Sequence, residues 1–352
     1  MTDGSFTPAQ ITALLGTAEW NAIKAFPVWQ KGKCRRCDDG ARSMLNSTTS
    51  RSEKLTCSSI DEIVALIVAL RNAGVQGLQG WALDELKAYR QIPIRPDHRR
   101  YAVVALMNPK DRKIYYYPMT GHSFGFTSAV YNYTRRPAMI QHLLTSIFQI
   151  CTLHYYDDRF GIEGTETVDS ALECTIDLFK MTGILIEITK LQRPGTFPKI
   201  VGVGFDLINM VVSITEERRA ALLEEIAGIL RADRLGPGQA SKLKGKLNFV
   251  SSQFLGRCGR AALRSLSERQ YSKDPDSRLT KDGSTTPAKK ALMLWQKILA
   301  EGSARPIPRK IGGPADAIIC TDGYYPEALI PGREPSEIKE PRIGGVLFTR
   351  WR

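Results

Sequence analysis

The stretch TLHYYDDRFGIE, Thr152 to Glu163, sets Asp157 and Asp158 side by side behind a run of aromatic and apolar residues. An adjacent acidic pair is ordinary in a surface turn, so its meaning depends on what else the chain brings to it. A third carboxylate, Asp84, stands in WALDELKAYRQIPI, roughly 70 residues upstream. Three carboxylates gathered in one place could hold two Mg²⁺ ions about 3.5–4 Å apart, with Mn²⁺ as a substitute. That arrangement activates a 3′-hydroxyl and steadies a leaving pyrophosphate, which is the chemistry of nucleotidyl transfer.

The elements around these residues must bring them together. QICTLHYY and DRFGIE read as two short strands, which puts the acidic pair at a hairpin tip, and Asp84 falls at a strand–helix junction. FTPAQITALLG signals a helix with Thr7 as cap and Pro8 first, its pattern running on toward WNAIKAF. KGKCRRCDDGARSMLNSTTSRSEKLTCSS is polar and basic and reads as strand and loop. SSIDEIVALIVALRNAG predicts a helix capped by Ser59 and stopped by Gly74. RRYAVVALMNPKDRKIYYYPMTG predicts a hairpin turning at NPKD, and TSAVYNYTRRPAMIQHLLTSIF a long helix kinked near Pro137. Beyond the acidic pair come a helix (TVDSALECTIDLFKMTG), strands at ILIEITK and KIVGVGFDL, and helices around TEERRAALLEEIAGILRADR and GQASKLKGKLNFVSSQFL. SKDPDSRLTKDGSTTP reads as a linker or long surface loop, and PAKKALMLWQKILAEG as a helix. The mixture of short strands and helices predicts an α+β fold.

At 352 residues, 43% hydrophobic and 24% charged, the chain is long enough for two or more domains and is globular rather than disordered. It has no apolar run of about 18 residues and no leader-like N-terminus, which predicts a soluble intracellular protein of cytoplasm or nucleus with no membrane partner. The net charge of +13 and a pI near 9.4 favour a polyanionic partner, nucleic acid ahead of an anionic membrane. Seven cysteines at irregular spacing do not make a disulfide framework. Cys34 and Cys37 form a CxxC, but only Cys57 is a nearby third ligand for a zinc site that needs four.

Six motifs in order carry a resemblance to reverse transcriptases, over roughly residues 28 to 270. DELKAYRQIPI resembles the family's first catalytic motif, SFGFTSAVYNYTRRP its template- and nucleotide-positioning motif, and YYDD, Tyr155 to Asp158, its YxDD signature. GILIEITKLQRP resembles the lysine-bearing motif, KIVGVGFDL the primer-grip hairpin, and KCRRCDDGARSMLN the fingers strand that holds the incoming triphosphate. KLKGKLNFVSSQFLGRCGRAALRSL is similar to the thumb and connection of tyrosine-recombinase retrotransposons. The resemblance implies a right-hand polymerase of fingers, palm and thumb. It would extend a DNA primer on an RNA or DNA template with dNTPs.

By that resemblance Asp84 and Asp157 ligate both metals and Asp158 contributes more weakly. Lys190 is a candidate general acid for pyrophosphate, a role that needs a lowered pKa. Tyr89 stands where the family puts a bulky side chain beneath the sugar, excluding a 2′-hydroxyl. Lys33, Arg35 and Arg36 are candidates for gripping the triphosphate, Arg35 foremost, and Phe124 and Gly125 match the positioning pair. Lys242, Lys244, Lys246 and Arg257 lead a basic thumb segment that would hold phosphates without reading sequence. Glu85 departs from the family, which usually has a hydrophobic residue there, so strand geometry or metal stoichiometry could differ.

In the tail, IICTDGYYPE and RIGGVLF resemble the first two strands of a ribonuclease H domain, an α/β unit with Asp322 as its first aspartate. As a fragment it is expected not to cleave the RNA of a hybrid. The implied organisation is 1–27 N-terminal helical segment, 28–213 fingers and palm, 214–272 thumb or connection, 273–313 linker and helix, and 314–352 truncated ribonuclease H-like unit. Two rivals remain: a catalytically impaired, nucleic-acid-binding relic of a retroelement polymerase, and an RNA-copying RNA polymerase, against which Tyr89 and YxDD argue.

Overall fold

The computed structural model describes residues 5–30, 32–50, 53–254, 259–302, 304–308, and the strands 317–324 and 342–349. Arg257 lies outside the described residues. Thr7 opens α1 (Pro8–Leu15) through a capping box with Gln10, and Gly16 closes it in the left-handed region. The helix does not continue toward WNAIKAF, as its pattern predicts. That stretch enters β1 (Ala22–Gln30), whose backbone pairs antiparallel with β2 (Lys33–Asp38) and parallel with residues 103–105. A strand therefore crosses the boundary expected at residue 27.

Ser59 caps α2 (Ile60–Asn72), and β3 (Gln79–Asp84) follows it. The chain then makes 3₁₀ turns at Ala88–Gln91 and Pro96–Tyr101, the hairpin of β4 (Val103–Met107) and β5 (Ile114–Pro118), and α3 (Thr127–Ser146) with Pro137 inside it. The next hairpin is β6 (Thr152–Tyr155) and β7 (Asp158–Glu163), followed by α4 (Val168–Met181). ILIEITK forms no strand. It touches the end of β3 by a single bridge, Glu85 to Ile186, and closes in a 3₁₀ turn at Ile188–Lys190, so the strand partner comes later, as β8 (Gln192–Gly195). β9 (Lys199–Ile200), β10 (Val203–Asp206) and β11 (Val211–Ile214) complete this part of the chain.

Three four-stranded sheets result: β2-β1-β4-β5, β6-β7-β3-β8, and β9-β10-β11 with β14 (Arg305–Pro306) at its edge. The second sheet positions the acidic residues. Strand alternation sends Trp81 and Leu83 of β3 into a core with α3 and α4, and sends Ala82, with Phe160 and Ile162 of β7, into a core with α2.

Helices α5 (Glu216–Ala232), α6 (Pro237–Ser251) and α7 (Leu263–Tyr271) precede a small hairpin, β12 (Thr280–Lys281) and β13 (Ser284–Thr285), and α8 (Pro287–Glu301). Of the two readings of SKDPDSRLTKDGSTTP, the surface loop holds and the linker does not: the segment is exposed or half-exposed apart from buried Leu279, and Ala288, Leu292, Trp295 and Leu299 of α8 join one core with α5, α6 and α7. The charge of Asp233 binds this region together, accepting from Lys289 Nζ at 2.7 Å and Thr280 Oγ1 at 2.9 Å. The chain divides into two compact units, Met1–Pro308 and Arg309–Arg352. In the second, β15 (Ala317–Tyr324) and β16 (Arg342–Thr349) pair antiparallel, with Asp322 opposite Gly344. Among the described residues, no helix is long and apolar enough to cross a membrane.

Candidate active site

The β6-β7 hairpin turns through Tyr156 and Asp157, with Tyr156 at φ 51°. Its register against β3 places Asp158 directly across from Asp84, and the Glu85 amide donates to the Asp157 carbonyl at 3.2 Å. Three carboxylates separated by roughly 70 residues of sequence thus meet at one end of the second sheet. Burial, followed by the charge of Asp84, raises the Asp157 carboxyl, and burial with the charges of Asp157 and Asp84 pushes Asp158 up to about 6. Lys190, from the 3₁₀ turn, ion-pairs with Asp84. That hydrogen bond raises the Lys190 ammonium, the direction opposite to the lowering expected of it.

The donor set suits a hard cation, since it consists of carboxylate oxygens whose mutual repulsion a cation would relieve. No group of three or more His, Cys, Asp or Glu among the described residues is already arranged as a metal site, and the Asp84 carboxylate is turned to Lys190.

Tyr89 stands in the 3₁₀ turn after β3, half-buried, with its ring edge-on to Phe124 and to Tyr133 at 5.0 Å each. Phe124 is held by its backbone, the Asp38 amide donating to its carbonyl at 3.2 Å. Gly125 next to it has φ 103°, and a Cβ there would lie 1.9 Å from the Asp38 carbonyl oxygen, so only glycine fits. Asn46 closes the clamp: its side chain donates to the Gly125 carbonyl at 2.9 Å and accepts from the Thr127 amide at 2.8 Å.

The basic residues of β2 divide between its faces. The register puts Arg36 with Asp38 and Cys34 on one face, and Lys33 with Arg35 on the other. Arg36 Nε lies 2.9 Å from the fully buried Asp38 carboxylate, which also accepts from the Ser123 hydroxyl, and Arg90 Nη2 approaches it to 3.9 Å. The face that leads to Tyr89 and Phe124 is therefore that of Arg36, not of the favoured Arg35. Asp38 and Arg90 had no separate signal in the sequence. Arg90 was legible only as the neighbour of Tyr89.

Glu85 does not join the carboxylates. One residue beyond Asp84, it points to the opposite face of the sheet, where it is 5% exposed and ion-paired with Arg136 of α3. The basic segment of α6 is also uneven. Lys242 is exposed, Lys246 pairs with Glu225 of α5 at 2.7 Å, and Lys244 donates to Ser267 Oγ at 2.9 Å beneath Tyr271.

No family model matches the chain, and no curated protein matches it. Solved structures do. A foamy viral protease-reverse transcriptase dRH in complex with double-stranded DNA is 13% identical with a TM-score of 0.58, over 80% of this chain and 44% of that one. The foamy viral protease-reverse transcriptase with RNA/DNA hybrid is 14% identical, TM-score 0.57, over 80% and 34%. The same protein with double-stranded DNA is 13% identical, TM-score 0.57, over 94% and 61%. The chain spans less than two thirds of each of these structures' chains. Its fold is reverse transcriptase-like.

Proposed function

We propose that the chain is an RNA-directed DNA polymerase that extends a DNA primer with dNTPs on an RNA or DNA template, of the retrotransposon type that its motifs resemble. The observation that carries this reading is the meeting of Asp84, Asp157 and Asp158 at one sheet end, beside Lys190 and next to the Tyr89–Phe124 pair. Asp84 and Asp157, with Asp158 in support, would hold two Mg²⁺ ions, which supply Lewis-acid activation of the 3′-hydroxyl and neutralise charge on the leaving pyrophosphate. The protein's own part is placement. Tyr89 walls the space beneath the sugar, and Gly125 lets the backbone approach closely. Arg36 and Arg90 both reach the Asp38 carboxylate, and guanidinium forks of this kind are suited to hold a triphosphate. Lys242 and its neighbours on α6 hold duplex phosphates.

Glu85, one of the two grounds for reading the chain as an impaired relic beside the truncated tail, is turned away from the carboxylates and paired with Arg136. The test is primer extension on RNA and DNA templates, with dNTPs or rNTPs and Mg²⁺ or Mn²⁺, for wild type and Asp157→Asn. Wild type should extend with dNTPs. Asp157→Asn should lose extension and keep primer–template binding, because it removes charge stabilisation without touching α6. Extension by Asp157→Asn near the wild-type rate would remove the two-metal assignment. Binding without extension by wild type would support the relic.

A further inference from the structure

Building on the polymerase reading, we propose that Glu85, Arg136 and Arg159 form a buried positioning cluster that sets the Asp157–Asp158 hairpin against α3. Strand alternation dictates where these side chains go. Glu85 follows Asp84 and Arg159 follows Asp158, so both successors face away from the carboxylates, toward α3. Glu85 ion-pairs with Arg136, and Arg159, 2% exposed, donates from Nη2 to the Pro137 carbonyl of α3 at 2.7 Å. Arg136 lies over the Tyr133 ring at 5.3 Å and Arg159 over Phe179 at 5.8 Å. Three elements, β3, β7 and α3, are joined at one point.

The chemistry explains why charges would stand here. Replacing a buried ion pair by apolar side chains of similar volume is often neutral or stabilising, so stability is a weak reason to keep one. Apolar contact is non-directional, whereas a guanidinium bound to a carboxylate or a carbonyl fixes angle and distance. One carboxylate facing two guanidiniums also leaves an excess positive charge directly behind three clustered aspartates. Tyr133 extends the connection, because its ring packs on Tyr89. The cluster therefore ties the metal-side hairpin to the wall of the nucleotide site.

The experiment compares wild type with Glu85→Gln, Arg159→Met and their double variant. It measures primer–template Kd, the single-turnover extension rate well below each Tm, and hydrogen exchange at residues 155–158. Glu85→Gln should slow extension by about 10²-fold, the cost of a misplacement of ~1 Å, with Kd unchanged. Hairpin exchange should rise, and the double variant should lose less than the product of the single losses. Arg136→Lys, which keeps the charge but not the fork, carries the same comparison if Glu85→Gln does not fold. Unchanged hairpin exchange, or rate losses that only follow Tm, would overturn the cluster's role. A wild type that never extends, with hairpin exchange that still responds to Glu85→Gln, would remove the polymerase reading and leave the tether standing.

Discussion

Tyr89 is half-buried between Phe124 and Tyr133, and burial with the nearby Asp157 charge pushes its phenol up to about 12. It is a neutral ring at any working pH, so its part in the proposed reaction is steric. Tyr89→Val opens the space beneath the sugar, and ribonucleotide use relative to dNTPs should rise by about tenfold or more, equivalent to ~1.4 kcal/mol of discrimination. The measurement is the ratio of kcat/KM for matched dNTP and rNTP in both proteins. An unchanged ratio with a lowered Tm would mean that the ring only packs.

Helix α6 and strand β6 each make a prediction of their own. Because Lys246 is paired with Glu225 and Lys244 is engaged with Ser267, the exposed Lys242 is the freest of the three to meet a phosphate. Lys242→Gln should flatten the slope of log K against log salt by about 1 unit, uniformly across sequences, and Lys244→Gln by clearly less. Equal effects would show that α6 rearranges on binding. In β6, His154 is buried with Nδ1 2.5 Å from Gln141 Oε1, and burial, aided by the Arg159 charge, pushes its pKa down to about 4. A depressed histidine binds its proton in the unfolded state first. Its contribution to stability is therefore full above its ordinary value of about 6.5 and falls as pH drops toward about 4, by on the order of 3 kcal/mol. Asp158, pushed up to about 6, works with the opposite sign, so the wild-type profile alone is shallow. The readout is the comparison with His154→Gln, whose Tm should gain on wild type between pH 6.5 and 4 and not above. A constant Tm difference across that range would refute the assignment.

At the scale of the whole molecule, residues 1–308 cluster as one compact unit, and the cores of its described residues extend as far as Ile307, beside β11 and β14. A chain ending at Pro308 should keep the Tm of the full chain within about 2 °C, since ~1 kcal/mol moves Tm by roughly 2–4 °C at about 150–250 residues and by less in a longer chain. It should also keep its primer–template Kd. Thermal unfolding and anisotropy decide the point, and a large loss in either would place part of the binding or folding energy in residues 309–352.

Much of this organisation was legible along the chain because it depends on local rules. The cap at Thr7, the stop at Gly74, the NPKD hairpin and the acidic pair at a hairpin tip follow from residue type and spacing. The YYDD and DELKAY motifs named the carboxylates before any fold was known. What local rules could not supply was competition between distant partners. WNAIKAF is helix-compatible until β2 and β4 offer it a ladder, and ILIEITK is strand-like but finds only one bridge at the end of β3. SKDPDSRLTKDGSTTP reads equally as a linker or a surface loop until Leu279 and Asp233 anchor it as the loop. The division of Lys33 and Arg35 from Arg36, and the burial of Glu85 against Arg136, likewise required the register of strands and the approach of α3. Side-chain direction alternates with every residue, and only the tertiary structure decides which face meets the site and which meets a helix.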